Sequence, residues 1–383
     1  MTLVRGRDPA TGGGLAVTLA GGRIATVAAD PAVPADAPWI APGLVDLQVN
    51  GWGGLDLNDG RLTAETVAHL VRALAATGVT TLLPTLLTAS EESLCDALAA
   101  IAAARRADPA VARAIPGVHV EGPSISPDDG PRGAHPRGHV RPPDRDEFDR
   151  WQAAAGGLVR LVTLAPEWAE APSFVRSLAA DGVVVAIGHS AADPAAVRAV
   201  ADAGARLSTH LGNGVAATLP RHPNLIWAQL ADDRLSASVI ADGHHLPDDT
   251  LKAMIRAKGI ERSILVSDAV ALAGMPPGLY DAAVGGRVEL TAEGRLGVAG
   301  TPYLAGAARA LKDGVATAVR AVGLGLADAL RLATANPADL IGATDRGRIA
   351  PGAAADLIRF RFAPGDATLT VETVLAGGME IRP

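Results

Sequence analysis

Along most of the chain, short apolar runs rich in β-branched residues alternate with stretches whose apolar positions recur three and four residues apart. The runs are GLVDLQVNG (43–51), GVTTLLPTL (78–86), AIPGVHVEGP (114–123), LVRLVTLAPE (158–167), GVVVAIGHS (182–190), ARLSTHLGN (205–213), LSASVIADG (235–243) and RSILVSDA (262–269). Between them, segments such as TAETVAHLVRALAATG and PDDTLKAMIRAKG have helical periodicity. The spacing Thr88-x-x-Glu91 predicts a capping box at one helix start. Strands that alternate with helices pair in parallel, and eight such units imply a closed (β/α)8, TIM-like barrel more than an open sheet. The two ends read differently. LAVTLAGGRIATVAAD carries a Gly-Gly turn between two strand-like runs, and GRIAPGAAADLIRFRF and ATLTVETVLAGG resemble it near the other end. The expected organisation is a small β-sandwich domain formed by both termini (1–40 and 346–383) and a barrel over 41–345.

Polar residues sharpen this picture. Most of the runs stay apolar until their C-terminal ends, where Gln48 and Asn50, Glu121, Glu167, His189, His210, Asp242 with His244 and His245, and Asp268 appear. A barrel builds its active site at that face, whereas a doubly wound sheet would gather such residues at one switch point. Composition adds exclusions. With 383 residues the chain buries a large core, and 49% hydrophobic with 20% charged residues is ordinary for a globular protein. A net charge of −7 without a basic face argues against nucleic acid as a partner. The single cysteine, Cys95, excludes an intrachain disulfide and fits a cytoplasmic setting. The N-terminal stretch lacks the apolar core of a signal peptide, and no apolar run is long enough to span a bilayer, so no membrane partner is expected.

Glu121, His189 and His210 are the metal-ligand candidates: two imidazoles and one carboxylate suit Zn²⁺ or Fe²⁺ and leave coordination positions open. Each residue alone also fits a buried, hydrogen-bonded polar group. Asp268, closing LVSDA, is the general acid/base candidate, with a helix N-cap as its other reading. Many metal hydrolases of this architecture carry His-x-His at the end of the first strand; here Gln48 and Asn50, poor ligands, stand there. The chain's three lysines, Lys252, Lys258 and Lys312, all miss the fourth run, which excludes a carbamylated lysine bridging two ions. There is no GxSxG elbow, so a nucleophilic side chain is disfavoured. Arg221 in LPRHPN and His245 in ADGHH suit a phosphate or carboxylate, although a lone arginine in a polar loop is more often simply solvated.

Taken together, APGLVDLQVNGWGGLDLND, GVHVEGPSIS, RGAHP, VTLAPE, IGHS, STHLGN, RHPN, IADGHH, LVSDA and GRIAPGAAADLI resemble the amidohydrolase superfamily, and within it the N-acetylglucosamine-6-phosphate deacetylase family, over essentially the whole chain. The resemblance implies one divalent ion per subunit, Zn²⁺ ahead of Fe²⁺, on Glu121, His189 and His210, with Asp268 catalytic. It implies substrate contacts at Ala134, His135, Asn213, Gly214, Arg221, His245, Leu304, Ala305 and Gly306, and places Gln48 and Asn50 at a vacated second-metal position. It also implies a homodimer in which Arg221 reaches into the neighbouring active site. The expected activity is hydrolysis of the N-acetyl group of a phosphorylated amino sugar. The alternatives are a deacylase of another, unphosphorylated N-acyl amine and a non-catalytic scaffold. His244, His222, PYLAGAARAL and ISPDDGPRGAHPRG depart from the family pattern, and the resemblance assigns no role to His222 or His244.

Overall fold

A computed structural model describes residues 1–282 and 286–381; the last two residues of the expected terminal domain lie outside this range. Eight strands, β1 (Leu44–Val49), β2 (Val79–Leu87), β3 (Val118–Glu121), β4 (Val159–Leu164), β5 (Val184–Ile187), β6 (Leu207–Ser208), β7 (Ser236–Ile240) and β8 (Ser263–Val266), form one sheet in sequence order. All of its ladders are parallel. Helices such as Ala64–Ala76, Glu91–Ala107, Arg145–Ala155, Ala171–Ala180, Pro194–Ala203 and Asp248–Lys258 connect the strands. Val45, Leu47, Leu83, Leu161, Ala186, Leu207 and Ile264 fill the barrel interior. The outer strand residues Val118, Val120, Val162 and Leu164 meet Leu70, Leu98, Phe148 and Phe174 of the helices.

The ring closes without a regular ladder between β8 and β1. The Asp268 amide donates to the Gln48 carbonyl at 2.9 Å, and the Asn50 and Gly51 amides share the Ala269 carbonyl. At the opposite pole the segment at 332–333 fills the gap, its carbonyls accepting from the amides of Leu265 and Val45. The β1–β2 register shifts between Asp46 and Val49, a bulge directly before Asn50.

Every predicted strand is present, and all but β2, which is as long as its run and shifted by one residue, are shorter than their apolar runs. The reason is local: the polar residues that end the runs have left extended geometry. Among the described residues only His189 (φ 49°), His210 (φ 29°) and Asp268 (φ 50°) are non-glycine residues with positive φ. Each costs about 1–3 kcal/mol, strain that persists where surroundings fix it. The predicted capping box is corrected. Ser90 caps the helix, its hydroxyl accepting from the Ser93 amide, and Glu91 is the first helical residue. The Thr88 side chain instead is buried and bonds His135 Nδ1 at 2.9 Å.

Both ends of the chain enter one seven-stranded sheet. Its order is Met379–Ile381, Thr370–Ala376, Leu357–Arg361, Trp39–Pro42, Thr2–Arg7, Gly14–Ala20 and Arg23–Ala29. A four-stranded antiparallel sheet (Gly278–Ala282, Gly286–Leu290, Arg295–Val298, Leu304–Ala307) follows β8 and was not expected from the sequence. It joins the barrel through a parallel bridge from Ala307 to Ala269. Among the described residues no helix is long and apolar enough to cross a membrane.

Candidate active site

Glu121 ends β3, and His189 and His210 lie just past β5 and β6, so three strands of one side of the barrel, with β4 between the first two, aim their ends at one point. Glu121 Oε1 is 3.4 Å from His189 Nε2 and 3.0 Å from His210 Nε2; the two imidazole nitrogens stand 3.1 Å apart. Donors held 2.0–2.1 Å from one tetrahedral ion stand about 3.3–3.4 Å from each other, so the spacing fits a single Zn-sized cation. The tautomer fits too. His189 Nδ1 faces the Pro131 carbonyl at 2.9 Å and must donate to it, which leaves the Nε2 lone pair facing the cluster. His189 also needs room: a Cβ on Gly214 would lie 2.8 Å from its Nδ1, and one on Gly133 3.2 Å from its Cε1. Glycine at both positions, each with positive φ, makes the slot for the ring.

The electrostatics are those of a cation site. Burial alone would raise Glu121, but the imidazoles of His189 and His210 beside it hold its carboxyl well below the usual carboxylate range. Burial works against charge on His210, and the Glu121 hydrogen bond together with the charges of Glu121 and Asp268 outweighs it, so His210 is raised. Asp268 behaves oppositely. Burial, assisted by the Glu121 charge, pushes its carboxyl up to about 6. Two carboxylates in one pocket with pKa values driven apart is the arrangement expected of a ligand beside a proton carrier.

The amides at the first strand's end attach to these carboxylates. Gln48 Nε2 donates to Glu121 Oε2 at 3.0 Å, and Asn50 Nδ2 donates to Asp268 Oδ1 at 2.7 Å. One therefore orients the oxygen of Glu121 that faces away from the cluster, and the other holds the carboxylate of Asp268. Replacing Gln48 by leucine is expected to weaken divalent-ion affinity about 10–100-fold, as loss of a ligand's outer partner does. Competition with a chromophoric chelator measures this; an unchanged affinity would show that Glu121 needs no outer donor.

Around the cluster opens a cavity of about 550 Å³. Asn50, Ala134, His135, Asn213, Gly214, His245, Asp268, Leu304, Ala305 and Gly306 line it together with the three ligand candidates. Arg221 and His222 do not line it; both are exposed in the loop before the helix Leu225–Ala231. Among the described lining residues there is no lysine or arginine. His245 Nδ1 bonds Asp242 Oδ2 at 2.7 Å, which leaves Nε2 as the ring's free nitrogen. Burial pulls His135 down to about 3, so the ring that lines the cavity is a neutral imidazole. His244 reaches across to the inserted sheet, its Nε2 3.2 Å from the Glu293 carbonyl. Glu167 sits outside, accepting from Ser190 and Ala191.

Three features escaped sequence reasoning. The inserted sheet supplies an apolar wall, with Ala282, Val288 and Leu296 facing the cavity beside Val270 and Leu272; only Leu304 to Gly306 had been singled out there. Beneath the cluster His119 is fully buried, and burial lowers it to about 4. Its Nδ1 donates to the Leu47 carbonyl, so Nε2 accepts from Thr163 at 2.8 Å, and Thr163 in turn accepts from Thr209 at 2.7 Å. That chain ties β1, β3, β4 and the residue before His210 together. The third is Asp46, fully buried in the seam between β1 and β8.

Comparisons with known proteins agree with this geometry. Residues 39–380 match the sequence model of the amidohydrolase family. The chain is 36% identical over 332 residues to N-acetylglucosamine-6-phosphate deacetylase of Bos taurus, covering 83% of this chain and 78% of that protein. It is 35% identical over 319 residues to N-acetylgalactosamine-6-phosphate deacetylase of Shewanella sp. (strain ANA-3), at the same coverages of 83% and 78%. Among solved structures, an aspartate-to-alanine variant of N-acetyl-D-glucosamine-6-phosphate deacetylase from Mycobacterium smegmatis, in complex with N-acetyl-D-glucosamine-6-phosphate, superposes with a TM-score of 0.85. That pair shares 33% identity and covers 97% of this chain and 95% of the other.

Proposed function

The chain belongs to the amidohydrolase family, and from that premise we propose that it hydrolyses the acetamide of N-acetylglucosamine 6-phosphate to acetate and glucosamine 6-phosphate. The observation that carries this reading is the convergence of Glu121, His189, His210 and Asp268 on one cavity, with the three ligand atoms all within 4.8 Å of one another. A divalent ion on the three ligands, Zn²⁺ ahead of Fe²⁺, supplies a Lewis acid for the amide carbonyl and a water acidic enough to lose a proton near neutral pH. Asp268 takes the proton of the attacking water and delivers it to the departing nitrogen. Amines leave poorly unprotonated, so that second transfer is as necessary as the first. His135 and Asn213 orient the sugar ring, and His245, its tautomer set by Asp242, faces the phosphate.

The phosphate also needs a cation that the described cavity lining of this chain does not offer. We assign it to Arg221 of the partner subunit in a homodimer, which accounts for an exposed arginine on the loop before Leu225–Ala231. Arg221→Ala is expected to raise KM for the phosphorylated sugar about 10–100-fold with little change in kcat, the scale of a lost charge-assisted hydrogen bond. At substrate well below the raised KM, mixing Arg221→Ala with Asp268→Asn subunits should then restore up to about a quarter of wild-type activity, since a two-fold dimer of the two carries one intact site. No recovery on mixing would place the arginine's action within its own subunit. Equal kcat/KM with and without the 6-phosphate would favour the deacylase of unphosphorylated amines.

A second reading keeps the chemistry and takes the C4 epimer, N-acetylgalactosamine 6-phosphate, as the name of the Shewanella relative suggests. The ratio of kcat/KM on the two epimers decides between them.

A further inference from the structure

The seam between β1 and β8 holds a carboxyl group that no step of the reaction uses. Asp46 is fully buried and does not line the cavity. Its Oδ1 accepts from the Ser267 amide at 3.1 Å and from the Gln48 amide at 3.4 Å, one strand on each side. Its Oδ2 is buried without a partner. These bonds fall where the barrel has no regular ladder, so the carboxyl stands in for the missing backbone pairing.

What flanks the two bonded amides is unusual. Ser267 precedes Asp268, whose own amide donates to the Gln48 carbonyl at 2.9 Å. Ser267 Oγ donates to that carbonyl at 3.4 Å and accepts from the Ala269 amide at 3.2 Å. On the other strand, the Gln48 side chain holds Glu121 and Asn50 holds Asp268. Asp268 keeps a left-handed backbone, φ 50°, and its neighbours must over-determine it. Ser267 and Asp268 are therefore joined to Gln48 three ways, and one of the three is Asp46.

We propose that Asp46 is a positioning residue: by clamping the Ser267 and Gln48 amides across the open seam it places Asp268 relative to the ligand triad, without touching ion or substrate. Burial raises its carboxyl to about 7, the bonds from Ser267 and Gln48 acting against that. An asparagine would present the same carbonyl oxygen to both amides.

The proposal takes its assay from the deacetylase reading, and its test includes a readout independent of turnover. In the full-length protein, Asp46→Ala is expected to lower kcat about 100-fold, the scale of an ångström's misplacement of a reacting group. KM should stay within about 3-fold and the metal content unchanged, because Glu121, His189 and His210 stand on other strands and the Gln48 side chain keeps its own bond to Glu121. Asp46→Asn should remain within about 5-fold of wild type. Hydrogen exchange of the segment 265–270 should accelerate in the alanine protein and not in the asparagine protein, while segments 119–121 and 187–190 keep their rates. Where the alanine protein does not fold, Asp46→Ser, too short to span both amides, is read the same way. Alanine activity within about 3-fold of wild type, loss of metal together with activity, or an asparagine protein as impaired as the alanine one would each overturn the proposal. Wild-type protein that releases no acetate would sink the deacetylase reading instead, and the exchange pattern would still decide for or against Asp46.

Discussion

Asp268→Asn is expected to lower kcat for acetate release about 10³–10⁴-fold, near the upper end of what one positioned acid/base group contributes, while ion content and KM hold. The substitution isolates proton transfer. Asparagine keeps the shape of the side chain and an oxygen for the 2.7 Å bond from Asn50, but it cannot take a proton from water or give one to nitrogen. Asp268 is suited to both halves of the reaction because burial, with the Glu121 charge, holds it at about 6, close enough to neutrality to exchange its proton in either direction. An ion bound at the triad would draw that value down, as any nearby cation does to a carboxylate. Steady-state acetate release and metal analysis on the same preparation make the test. A loss under about 10-fold would remove Asp268 from the proton path, and loss of the ion would make it a ligand.

Much of this arrangement is legible in the chain before folding, for a physical reason. Parallel strands buried on both faces read as apolar runs, and a polar residue at the end of such a run is costly unless it has work or a partner. Glu121, His189, His210 and Asp268 stand out on that ground, and the structure brings them together. Most strand ends were read too long because periodicity does not register a turn into left-handed backbone, and His189 and His210 make that turn two residues past the last ladder pair. Asp46 and His119 stayed invisible for a different reason. They sit inside apolar runs, and their meaning lies in partners more than forty residues away, at Ser267 and Thr163. The sheet from Gly278 to Ala307 is built of short, half-exposed strands whose weak alternation does not rise above the surrounding loops. Gln48 and Asn50 were noticed as departures from a histidine pair, but only the fold shows that their amide hydrogens are committed to the two carboxylates.

That commitment bears on the second large effect, the response to metal removal. Chelation, or Glu121→Ala or His210→Ala, is expected to lower activity by at least about 10³-fold, the factor that several kcal/mol of transition-state stabilisation is worth. Adding back a single equivalent of Zn²⁺ or Fe²⁺ per subunit should restore the chelated wild type and neither variant. The stoichiometry follows from the amides. A second ion would need donors at 48 and 50, yet both side chains turn their NH₂ groups toward Glu121 and Asp268 and offer at most weak carbonyl oxygens. Binding it would break the bonds that orient the first ion's ligand and the proton carrier, so a second equivalent should inhibit or do nothing. Isothermal titration of the stripped protein, with activity followed at each addition, separates the cases. Two ions bound with similar affinity, activity appearing only with the second, would mean that Gln48 and Asn50 ligate after all. The Gln48→Leu protein would then lose that second ion first.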